Sequence, residues 1–99
     1  MAETGRYGVL VFKEAAGFFS FWGEETTYEA MAGRMRNQGY VHLYGIGGVM
    51  PSELDRIANT ASGVVRMANA DKGVDPLGEL KKYNPKWEDL SRRQAKNGG

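Results

Sequence analysis

The chain reads as an α+β protein: a small antiparallel sheet, made of an N-terminal hairpin plus a third strand, packs against two main helices in the order ββαβα, with short C-terminal helices. Three observations lead there. Two apolar runs stand close together near the start, an alternating segment follows at Tyr40–Ile46, and two helical stripes flank that segment. Two helices against a small antiparallel sheet make an α+β sandwich.

The runs Tyr7–Phe12 and Gly17–Trp22 are strands, and the short Lys13–Ala16 connection makes them an antiparallel hairpin. All four phenylalanines and one of the two tryptophans fall here, and apolar side chains point to both faces. A sheet with one solvated side needs only one apolar face. Helices, a second copy of the chain or a partner must therefore cover the surplus.

Thr26-Thr27-Tyr28-Glu29 has the form of a capping box. Tyr28, Met31, Ala32 and Met35 then recur at i, i+3, i+4 and i+7, the stripe of an amphipathic helix that stops at Gly39. Gly33 is costly inside a helix, which suggests close approach to the sheet. In the third strand Val41 and Leu43 point one way, and Tyr40, His42 and Tyr44 the other. Gly45-Ile46-Gly47-Gly48 reads as a flexible turn.

A second helix starts near Ser52 with Asp55 in a capping-box position, and Gly73 ends it. Its stripe is Leu54, Ile57, Ala58, Ala61, Val64, Val65 and Ala68, with Val65 taken as core. Asp75-Pro76 opens a short segment through Tyr83. The domain organisation is thus one globular α+β domain over 1–83 and a basic segment over 84–99. Trp87, Leu90 and Gln94 lie there at helical spacing, so a short helix anchored by Trp87 is expected, frayed at its end.

Composition excludes several function classes. The 99 residues contain no cysteine, which removes disulfides and thiolate chemistry, and one histidine, which removes paired-histidine catalysis. No cofactor motif or metal-ligand spacing is present, and Gly45–Gly48 lacks the lysine and hydroxyl of a phosphate-binding loop. Serines 20, 52, 62 and 91 lack a nucleophile-elbow context. No apolar stretch is long enough to span a membrane, and Met1-Ala2-Glu3-Thr4 lacks signal-peptide order, so a cytoplasmic location is expected.

The net charge of +1 conceals a gradient: residues 1–30 sum to −3, residues 31–80 to zero and residues 81–99 to +4. Such a basic end can meet an acidic partner or simply remain solvated.

The functional expectation is a small non-enzymatic protein-binding protein, a homodimer in its own right. It fits a phage or mobile-element accessory protein or inhibitor acting on a host protein complex; size and simplicity are the basis for that origin. Phe19, Phe21, Trp22, Tyr40, His42 and Tyr44 are the expected protein-binding residues, because aromatic interfaces need no basic field. The alternative is a nucleic-acid-binding regulator, with Arg34, Arg36, Arg66, Arg92 and Arg93 as anion contacts. A hydrolase centred on His42 ranks third, because no nucleophile or orienting acid stands near it in sequence.

Overall fold

A computed structural model describes residues 7–91. The elements are β1 (Tyr7–Glu14), β2 (Gly17–Glu24), α1 (Glu25–Asn37), β3 (Leu43–Val49), α2 (Pro51–Ala70), α3 (Pro76–Tyr83) and β4 (Glu88–Asp89). The strands form one antiparallel sheet in the order β2-β1-β3-β4. The fold is α+β with the expected ββαβα order, followed by one short helix and a short fourth strand.

Helices cover both faces of the sheet, so the layers number three. Leu10, Phe12 and Leu43 meet Tyr28, Ala32 and Met35 of α1 on one face. Val9, Val11, Tyr44, Ile46 and Val49 meet Ile57, Ala61 and Val64 of α2, with Leu80 and Trp87, on the other. This explains the doubly apolar first strand: β1 is central and buried on both sides, as Val9, Leu10 and Val11 show at 0–1% exposure. β2 lies at the sheet edge, and there the surplus is only partly covered.

Several local expectations need correction. The third strand begins at Leu43, not Tyr40, and runs straight through the glycines. Tyr40 packs on the α1 side, Val41 is 69% exposed, and His42 and Tyr44 lie on the α2 side. Pairing with β1 keeps these residues in a strand, and Tyr28 crowds Gly45 and Gly47 together with Gly8 of β1. A Cβ would meet the Tyr28 ring at 2.3 Å from Gly8 and 3.2 Å from Gly47, and the Tyr28 hydroxyl at 2.7 Å from Gly45. The left-handed φ of +65° at Gly48 sits in a bulge, where three steps of β3 (Ile46 to Val49) match two of β1 (Val9 to Tyr7). The extra residue puts Ile46 and Val49 in the same core layer.

Gly33 meets nothing within 4 Å, so close approach to the sheet does not explain it. α1 begins at Glu25, directly after β2, which places Thr26 inside the helix, and the N-cap Glu24 makes no side-chain cap bond. α2 begins with Pro51 at its first turn, where a missing N–H costs nothing. That places Ser52 and Asp55 inside the helix, which ends at Ala70 before Gly73. In its stripe Val64 is buried, while Val65 is half-buried against the core edge.

The expected helix around Trp87 is replaced by extended chain. Lys86 N–H donates to Asn84 Oδ1 (2.9 Å) in a turn that drops Trp87 into the core at 1% exposure. Glu88–Asp89 then pairs with β3, and Leu90 N–H donates to the Leu43 carbonyl (2.7 Å). Leu90 packs on the α1 layer while Trp87 packs on the α2 layer, so this strap ties both layers at the β3 edge. Gln94 lies outside the described residues.

Candidate functional site

The hairpin turn has two residues, Ala15 and Ala16, and closes on the facing pair Glu14 and Gly17. In such a hairpin the closing pair is hydrogen-bonded and bonded pairs recur every second residue. Gly17, Phe19, Phe21 and Gly23 therefore bond β1, and Phe18, Ser20 and Trp22 aim their backbone groups outward. The Asn69 side chain fixes this phase. Phe18 N–H donates to Asn69 Oδ1 (2.7 Å), and Asn69 Nδ2 donates to the Phe18 carbonyl (3.1 Å). Gly17 makes room for it: its φ is +135°, and a Cβ there would lie 2.8 Å from Asn69 Oδ1.

Asn69 thus covers one outward position, and the backbone groups of Ser20 and Trp22 have no partner among the described residues. Large side chains stand on both sides of this open edge. Phe19, 41% exposed, leans on Phe12 on the α1 side (6.0 Å between ring centroids). Trp22, 55% exposed, meets Tyr7 edge-on on the α2 side (6.5 Å). Phe21 is half-buried and folds over Gly23, where a Cβ would be 2.9 Å from its ring. Edge strands usually carry a charge, a proline or a bulge at such a place, and Ser20–Trp22 has none.

The other expected binding residues do not join this surface. β1 lies between β2 and the 40–44 segment, and the aromatics divide between the two faces. Tyr40 donates to Glu14 Oε2 (2.7 Å), an interaction that raises its phenol pKa, and it packs edge-on against Phe12. Tyr44 is buried at 6% exposure, its hydroxyl 2.9 Å from Nδ1 of the exposed His42. Burial, then the Asp89 and Asp75 carboxylates, raise the Tyr44 phenol pKa. The single aromatic-polar face is therefore corrected to two separate groups, with Tyr44 largely buried in the core on the α2 side.

The arginines also separate. Arg34 and Arg36 lie on α1 and Arg66 on α2, on opposite faces of the sheet. Arg36 is engaged through Nε with the Leu90 carbonyl (3.3 Å). Arg92 and Arg93 lie outside the described residues.

His42 bonds a tyrosine, and among the described residues no serine or carboxylate is hydrogen-bonded to it. Among those residues no cluster of three or more histidine or acidic side chains is placed to hold a metal, and no helix is long and apolar enough to cross a membrane. Residues that sequence reasoning missed are Asn69, whose role depends on a contact across 51 positions, and Lys13 and Lys72, brought together by the fold. Comparison of the chain with family models, curated proteins and solved structures gives no match in any of the three.

Proposed function

We propose that this chain is a protein-binding module that takes an extended segment of another protein onto the open edge of β2. Strand addition supplies backbone hydrogen bonds for affinity and side-chain contacts for specificity. The observation that carries this reading is the Ser20–Trp22 edge: outward backbone groups without a partner among the described residues, flanked by exposed Phe19 and Trp22. A role as an accessory or inhibitor protein follows if the docked segment belongs to a working interface of the partner. A second copy of this chain is the other occupant such an edge accepts, and light scattering across concentration separates the two. The nucleic-acid reading is weaker, because among the described arginines Arg34 and Arg36 lie across the sheet from Arg66.

The test uses two substitutions. Ser20→Pro removes an outward N–H without breaking a bond to β1, and Trp22→Ala removes the exposed anchor. Both variants should keep the wild-type far-UV spectrum and melt within a few degrees of it. A partner co-purified from the native cell should be lost with Ser20→Pro and bound about 30-fold more weakly with Trp22→Ala, a hot-spot loss of about 2 kcal/mol. Undiminished binding by a folded Ser20→Pro variant would rule out strand addition at this edge.

A further inference from the structure

At the hairpin-turn end of the molecule, α2 stops at Ala70 and the chain returns only at Pro76, leaving part of the sheet's α2 face uncovered by helix. A cleft of about 550 Å³ fills that gap. Its floor is aromatic: His42 stands edge-on between Phe18 (5.9 Å, 66°) and Tyr44 (6.3 Å, 61°). Lys13 and Lys72 line the same cleft, and neither forms an ion pair among the described residues. The Lys13 ammonium lies 5.7 Å from the centre of the Phe18 ring, so a cation already sits against the aromatic wall. Asp75 is the carboxylate lining the cleft, and the lysines outnumber it two to one.

Hydrogen-bond chemistry adds a third donor. The Tyr44 hydroxyl lies 2.9 Å from Nδ1 of His42, and Nδ1 accepts in the arrangement where that hydroxyl donates. An imidazole that accepts at Nδ1 carries its proton on Nε2. In that tautomer the exposed ring carries Nε2–H, in the cleft that Lys13 and Lys72 also line.

We propose that this cleft binds a small aromatic anion, its ring against Phe18, His42 and Tyr44 and its charged group held by Lys13, Lys72 and His42 Nε2. Lysine acts on such a group as a point charge, so a phosphate monoester or a carboxylate meets the same chemistry. The site is independent of the β2 edge, since none of Phe19, Ser20 and Trp22 lines it.

The single histidine gives an unambiguous reporter: its imidazole C–H signals in a proton–carbon NMR spectrum belong to His42 alone. Phenyl phosphate, benzoate, inorganic phosphate and phenol would each be titrated into the full chain at constant pH. Phenyl phosphate and benzoate should shift the His42 signals along a saturating curve, with inorganic phosphate at least tenfold weaker and phenol without effect. The K13Q/K72Q double variant should bind phenyl phosphate at least tenfold more weakly. Both side chains are exposed, so the fold should survive, and Lys82→Gln, at a remote Lys82–Glu79 pair, should bind as wild type does. Shifts that stay linear to the highest concentration would overturn the proposal. So would equal affinity in the double variant, or inorganic phosphate binding as tightly as phenyl phosphate.

Discussion

Tyr28 shows how one residue organises a layer. Its ring covers glycines of two strands, and burial, followed by the Glu88, Glu29 and Glu25 carboxylates, pushes its phenol pKa up to about 12. A phenol that ionises near 10.0 in the unfolded chain and later in the folded one stabilises the fold fully below pH 10. That stability is lost as pH rises from 10 to about 12. Tyr44 and Tyr40 shift the same way. Urea midpoints measured from pH 9 to 12 should therefore fall steeply above pH 10, and less steeply in Tyr28→Phe. The glycines give a second expectation. Gly8→Ala drives a Cβ into the Tyr28 ring and should cost about 1–3 kcal/mol or more. Gly33→Ala meets open space inside a helix and should gain about 0.5–1 kcal/mol. Equilibrium unfolding of the two variants should move in opposite directions. The sequence showed Tyr28 on its helical stripe, but its glycine floor was invisible, because it is assembled from two strands far apart in sequence.

At the scale of elements, local pattern was enough for the hairpin, both main helices and the Pro76 helix, each of which carries its own periodicity or proline start. It failed where tertiary contacts override local preference. Gly45–Gly48 has the composition of a turn, yet pairing with β1 and the bulge at Gly48 keep it in a strand. Trp87 and Leu90 match helical spacing, yet the strap they belong to is extended and puts them on opposite faces of the sheet. Three positions apart fits a helix face, and only the neighbouring β3 edge decides otherwise. The aromatic content of β2 was legible. The open stretch at Ser20–Trp22 was not, since it depends on strand order and on Asn69. Because Trp87 fills the α2 layer, Trp87→Ala should cost about 3–5 kcal/mol. Chemical denaturation would show this as a lowered midpoint, and an unchanged midpoint would contradict the packing described here.

For the whole molecule, the three layers account for the apolar surplus that the hairpin carries. α1 takes one face of β1, α2 the other, and the remainder is concentrated on one edge strand. Ending the chain after Tyr83 removes the strap and should destabilise both layers, whereas ending it after Ser91 keeps every contact described here. Thermal melts of the two truncations should differ clearly, with only the longer one close to the full chain. Among the described residues, the ion pairs Arg56–Glu53 and Lys82–Glu79 are both local, within one helix each. Recognition is therefore expected from backbone edge and aromatic contact rather than from a field. Amide hydrogen exchange at Ser20 and Trp22 tests this most directly. In the isolated, dilute protein these two amides should exchange fast, while Phe19 and Phe21, bonded to β1, exchange slowly. In the complex with its protein partner both should become protected. Fast exchange at Ser20 and Trp22 in a saturated complex would contradict the account.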